Sequence, residues 1–335
     1  MKTLYFHIGF PKTGTTTFYK FIVPHLKGIS VFIPNNSQEI LKNNLSENEF
    51  SQSLELKNFL ETFLYTKDGH EESIQILQSA LHEKVFLSTV NLMAGQFFEG
   101  LYTKQGCYIN AELISQRIHE VFSDHFNVKI LISVRAQADW IHSAFAEWHN
   151  VLPRASGGGN FMNFIKVCAS PGTKQRAALD YFSLGNIFEE RFGAENVKFA
   201  FYEELKMDPS SYFSRIASWL GSSLKDEALS SVARANNRSV SLDGKRTDVG
   251  SLLLFFFSLK MKFFPNVRLN IQSRAPLIIN LLTSLSFGRS KIISMSDENR
   301  SVIMKNFYKS NTLFMEKYAP EAEFTHSYLY TACGK

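Results

Sequence analysis

Four short apolar runs set the limits on how this chain can fold: "TLYFHIGF" (3–10), "KVFLSTV" (84–90), "VKILISV" (128–134) and "VKFAFY" (197–202). Each is rich in β-branched or aromatic residues and carries at most one charge, so none shows the polar alternation of a half-exposed strand. Such runs are strands buried on both faces. Longer helical patterns separate them, at 15–26, 47–65, 72–82, 110–126, 137–150 and 174–192. Asp208-Pro209 opens a further helix through Trp219, with Asp as N-cap and Pro in the first turn. A last helix spans about 297–318, whereas 223–295 mixes basic and apolar pieces without a period. Strands alternating with helices predict an α/β fold of three layers, a central parallel sheet flanked by helices. No repeat, low-complexity tract or linker divides residues 1–335, which read as a single domain.

Composition removes several function classes. With 36 basic and 31 acidic residues, the net charge of +5 suits a small polyanion but is too diffuse for nucleic acid. Cys107, Cys168 and Cys333 form neither a metal pattern nor a disulfide framework, and a reducing, cytoplasmic compartment is expected. The first apolar run begins at residue 3 with no charged region or cleavage site before it, so no signal peptide is expected. The most apolar stretch, "LLLFFFSL" (252–259), is stopped by Lys260 and Lys262, short of a membrane span.

The chemistry lies in "GFPKTGTT", residues 9–16. It has the glycine spacing of the phosphate loop G-x-x-x-x-G-K-[ST], yet Thr15 stands in the lysine position and Lys12 precedes the second glycine. Following a buried strand, such a turn presents successive backbone N–H groups to an anion at the carboxyl edge of the sheet. Thr15, Thr16 and Thr17 add hydroxyl donors. A lysine before the glycine reaches the terminal group from the other side of the turn, near the bridging oxygen of a two-group anhydride. "VKILISV" ends in Arg135 rather than a magnesium-binding aspartate, which weakens a kinase or ATPase reading.

"FPKTGTTTF" resembles the 5′-phosphosulfate loop of the sulfotransferases that use 3′-phosphoadenosine 5′-phosphosulfate (PAPS), and the leading "HIG" (7–9) is similar to bacterial members. A second motif agrees. The family's 3′-phosphate site is a strand-terminal arginine with a serine eight residues on, matched here by Arg135 and Ser143 in "ILISVRAQADWIHSAF". A guanidinium is a fixed fork of donors suited to a phosphate dianion. "NVKFAFYEELKMDPSSYFSRIASWLG" (196–221) is similar to the block whose tyrosine lies beside adenine, a role that passes to Tyr202. Glu203 and Glu204 read alternatively as helix-flanking surface charges. Arg238 in "ANNRSVS", with Asn236, Asn237, Lys245 and Arg246 nearby, resembles a basic loop at the 3′-phosphate end, although the R-K-G signature of animal cytosolic enzymes is absent.

The resemblance covers 1–30 and 84–220 well and 230–250 weakly. It implies a phosphate-loop-like sulfotransferase fold, with a nucleotide-binding core in 1–220 and acceptor or lid elements in 221–335. It implies donor binding by Lys12, Thr13, Gly14, Thr15, Thr16, Thr17, Arg135, Ser143, Tyr202 and Arg238. The product is 3′-phosphoadenosine 5′-phosphate (PAP), no metal is used, and Lys12 stands at the leaving oxygen. Family members carry a glutamate or histidine base after the second predicted strand, but Val90 occupies that position in "LSTVNLMAG". His7 is the residue taken as a catalytic candidate, against an ordinary core role, with Asn91, Glu99, Glu147 and His149 behind it. The base is left unassigned.

Acceptor specificity is expected from loops at 32–46, 94–106, 150–175 and 240–290, with Gly157–Gly159 as a mobile cover. The resemblance points to a small-molecule or glycan acceptor, a carbohydrate or glycolipid first. The aromatic and basic segment 252–290 suits an acceptor pocket, a lid or a peripheral membrane contact, and a homo-oligomer is compatible with it. A phosphate-loop kinase and a catalytically silent nucleotide-binding homologue are the alternatives.

Overall fold

The structure, a computed structural model, describes residues 1–34, 45, 47–63, 69–89, 91–94, 97, 110–148, 160–224 and 294–329, with 57–62, 91 and 94 as backbone only. In chain order the elements are β1 (Thr3–Gly9), α1 (Thr15–Phe21), β2 (Ile29–Phe32), α2 (Glu47–Thr62), α3 (Glu71–Gln78), β3 (Lys84–Ser88) and α4 (Asn91–Ala94). There follow α5 (Ala111–Phe122), β4 (Asn127–Val134), α6 (Gln137–Trp148), α7 (Phe161–Ala169), α8 (Lys174–Ala178) and α9 (Tyr181–Phe192). The chain continues through β5 (Val197–Phe201), α10 (Tyr202–Met207), α11 (Pro209–Trp219) and α12 (Asp297–Tyr318).

The five strands form one sheet in the order β2-β3-β1-β4-β5, and every pairing is parallel. The strand that feeds the glycine loop is therefore the central one. Its side chains alternate between two cores: Leu4, Phe6 and Ile8 join one face, and Tyr5 joins the other. Val128, Ile130, Ile132 and Val134 of β4 extend the first face, with Trp140, Tyr181, Phe307 and Phe314 from the covering helices. Phe18, Tyr19, Phe213 and Ile216 of α1 and α11 cover the second. Both faces are dry, which is why the strands read as unbroken apolar runs.

Several boundaries differ from the sequence reading. β2, "ISVF", was not predicted: it is four residues long at the sheet edge, too short for a period to declare itself. The helix expected over 15–26 ends at Phe21, and Pro24 sits in a 3₁₀ turn at Val23–His25. The stretch 174–192 is two helices, because the Asp180 carboxylate accepts the Ser183 N–H (3.1 Å) and caps a new start. α7 was not predicted; Asn160 caps it by accepting the Asn163 N–H (3.1 Å). The Asp208-Pro209 start is as expected, with the Asp208 side chain accepting from Ser211 N–H (3.0 Å).

Candidate active site

The carboxyl ends of β1, β3, β4 and β5 meet on one edge of the sheet, and the glycine loop lies in their midst. Local strain shapes the loop. Gly14 has φ +84° and caps α1, and a Cβ on it would lie 2.3 Å from Leu205 Cδ2, so glycine is required twice over. Lys12 has φ 69°, a left-handed conformation that a β-carbon disfavours. Left-handed residues on either side of Thr13 make the alternating backbone found in anion-binding nests.

The loop is braced from several sides. Thr13 Oγ1 donates to the Phe10 carbonyl (2.6 Å), and the Phe10 N–H donates to Ser133 of β4 (3.0 Å). The Trp140 indole N–H donates to the Pro11 carbonyl (2.9 Å). Lys12, Thr15, Thr16 and Thr17 are half-buried or exposed. The Lys12 ammonium lies 3.3 Å from Glu147 Oε2 of α6.

Arg135, at the end of β4, turns toward this loop. Its Nη1 donates to the Lys12 carbonyl (3.3 Å), and its guanidinium carbon lies 4.5 Å from the centre of the Tyr202 ring. Its Nε is buried with no hydrogen-bond partner among the described residues. A buried donor left without a partner suits an anionic ligand. Lys12, Arg135 and Tyr202 come from three separate segments, and one guanidinium touches the other two. Ser143 lies half-buried on α6, two turns beyond Arg135.

A family model for the sulfotransferase domain matches residues 3–237. The chain belongs to this family. Among solved structures, this sulfotransferase is similar to one from Alicyclobacillus acidocaldarius, at 18% identity, covering 72% of this chain and 94% of that one, with a TM-score of 0.39. A mouse sulfotransferase complexed with PAP matches at 15% identity over 71% of this chain and 65% of that one, TM-score 0.38. Sulfotransferase STF9 from Mycobacterium avium matches at 14% identity over 88% and 78%, TM-score 0.37. No curated protein matches the sequence.

His7 occupies the core. It is 2% exposed, with Nδ1 bonded to Ser88 Oγ and Nε2 to Ser133 Oγ, each at 2.7 Å. Burial lowers its pKa from 6.5 to about 3. Both ring nitrogens are engaged, so the structure gives His7 the cross-strand role rather than that of a free base. Of the other groups weighed as the base, Glu147 is the one brought against Lys12. Val90, Glu99, His149 and the Asn91 side chain lie outside the described residues.

The same holds for Arg238, Asn236, Asn237, Lys245, Arg246, Gly157–Gly159 and the segment 252–290. Among the described residues no group of three His, Cys, Asp or Glu could hold a metal ion, and no helix is long and apolar enough to cross a membrane.

Glu203 and Glu204 correct the sequence reading: they are 6% and 8% exposed, not surface charges. Glu204 pairs with Arg215. Glu203 accepts the Ala136 N–H (3.0 Å) and the Tyr328 hydroxyl (2.7 Å). Nothing in the linear pattern signals this, because Tyr328 is 125 residues away. A larger cleft, about 490 Å³, lies against β5, lined by Lys198, Arg215 and Tyr318, and includes none of the predicted site residues.

Proposed function

We propose that this sulfotransferase moves the sulfuryl group from PAPS to an acceptor hydroxyl, by in-line displacement. The observation that carries the reading is the contact of Arg135 with both the Lys12 carbonyl and the Tyr202 ring. The glycine loop with Thr13, Gly14, Thr15, Thr16 and Thr17 would hold the 5′-phosphosulfate. Arg135 and Ser143 would hold the 3′-phosphate, and Tyr202 would face the adenine. As the acceptor oxygen bonds to sulfur, the bridging S–O bond breaks and PAP leaves with the electron pair. The hydroxyl proton passes to a general base. Lys12 offsets the charge that grows on the bridging oxygen, a contribution of about 10²–10³ in rate for one donor at such a position.

Carbohydrate is the acceptor class this reading favours, in a reducing, cytoplasmic setting, with specificity supplied by the loops at 32–46, 94–106, 150–175 and 240–290.

The test is a PAPS-dependent screen of glycans and phenols by mass spectrometry, expecting products heavier by one sulfuryl group. PAP at about 100 times its dissociation constant should stabilise the protein by about 2.7 kcal/mol. Lys12→Ala should abolish transfer, whereas Arg135→Ala should mainly weaken PAP binding. Magnesium-dependent ATP consumption would point to a kinase. PAP binding without transfer, restored by Val90→Glu, would point to a silent homologue.

A further inference from the structure

Three successive residues from Arg135 are held by groups from later in the chain, the first two by their backbone and the third by its side chain. The Arg135 carbonyl accepts the Tyr181 hydroxyl (2.7 Å). The next residue, Ala136, donates its N–H to Glu203 Oε1 (3.0 Å). The Gln137 side chain exchanges hydrogen bonds with Asn311 of α12 (2.8 and 3.0 Å) and donates to the Leu179 carbonyl (3.1 Å). Asn311 also donates to the Tyr328 carbonyl (2.7 Å), and the Tyr328 hydroxyl donates to Glu203 Oε2 (2.7 Å). The circuit is closed: from 135–137 to α12, on to the turn after it, and back through Glu203.

This circuit is expensive to bury. Glu203 lies in the interior, where desolvation pushes its carboxyl pKa up against the pull of Ala136 N–H, Tyr328 hydroxyl and the Arg135 charge. An apolar side chain of similar volume would pack here at less cost. What a fully satisfied polar network supplies instead is one fixed geometry. The part it fixes is the strand end carrying the guanidinium that spans Lys12 and Tyr202.

We propose that Tyr328 and Glu203 are positioning residues for Arg135, so that the C-terminal helix and turn set how strongly the site selects a 3′-phosphate. The inference rests on the assignment of Arg135 to the 3′-phosphate. Arg135 makes the contact with ligand; Tyr328 and Glu203 act through it.

The experiment measures dissociation constants by calorimetry for PAP and for adenosine 5′-phosphate, which lacks the 3′-phosphate, on the full chain. The readout is the selectivity ratio, the dissociation constant of adenosine 5′-phosphate divided by that of PAP. Tyr328→Phe, which deletes one oxygen, should lower the ratio about fivefold to tenfold, the loss of roughly one buried hydrogen bond. Adenosine 5′-phosphate binding should stay unchanged. Tyr181→Phe removes a hydroxyl from the other side of the same backbone and should act alike, so the test survives if one variant fails to fold.

A purely structural network would lower the melting temperature of both variants and leave the ratio at the wild-type value. That result overturns the inference. Arg135→Ala separates the two levels. If it collapses the ratio while the tyrosine variants do not, positioning is wrong and the nucleotide assignment stands. If Arg135→Ala also leaves the ratio intact, the 3′-phosphate assignment falls, and the inference with it.

Discussion

Lys12 holds two conflicting demands in one residue. Its ammonium belongs at the front of the loop, yet its backbone sits at φ 69°, where a β-carbon costs about 1–2 kcal/mol. Strain of this kind persists where the surroundings over-determine it, and here the Pro11 and Lys12 carbonyls are held by Trp140 and Arg135. Lys12→Gly should therefore unfold later than Lys12→Ala, by about 1 kcal/mol in denaturant titrations, while neither variant transfers a sulfuryl group. Equal stability of the two would remove the strain argument. Gly14 makes the opposite case. Gly14→Ala meets both a left-handed backbone and Leu205, and should cost about 1–3 kcal/mol and abolish PAP binding by calorimetry. The loop's glycine was legible in the sequence as a turn former. That its second reason is Leu205 of α10 was not, since 191 positions separate them along the chain.

Among the elements, the sheet carries a polar row that the apolar strand patterns conceal. His7 of β1 bridges Ser88 of β3 and Ser133 of β4, and Tyr19 of α1 bonds Ser88 in turn (2.5 Å). The folded state keeps His7 neutral down to about pH 3, while the unfolded chain takes up its proton near pH 6.5. Its folded pKa is depressed, so the stability it contributes is present above pH 6.5 and lost progressively as pH falls toward 3. Between pH 7 and pH 5 that loss is about 2 kcal/mol, and His7→Gln should flatten this part of the stability–pH curve. A slope unchanged by the substitution would show that other groups produce it. The strands themselves were legible because each is buried on both faces. β2 and α7 were not, since a four-residue edge strand and a nine-residue helix carry too few residues for periodicity to speak.

At the scale of the molecule, α12 closes the first core although it starts 78 positions after the end of α11 in the sequence. Phe314 is fully buried, with ring centroids 4.9 Å from Phe199, 5.5 Å from Phe201 and 5.6 Å from Tyr181. Phe314→Ala should cost about 3–5 kcal/mol, measured by urea unfolding, because it opens a cavity between β5 and α9. A cost under about 1 kcal/mol would mean that α12 is loosely docked. Since Asn311 on the same helix belongs to the Arg135 network, core packing and site geometry are joined in one element.

The order of residues was enough to determine the α/β architecture and to single out the glycine loop, Lys12 and Arg135, because these depend on local periodicity and on motifs with fixed spacing. Three matters were decided only by the folded chain: the burial of Glu203 and Glu204, the engagement of both His7 nitrogens, and the grip of Tyr328 on the strand end at Arg135. Each turns on which distant groups share a dry interior, and desolvation has no signature in a linear pattern.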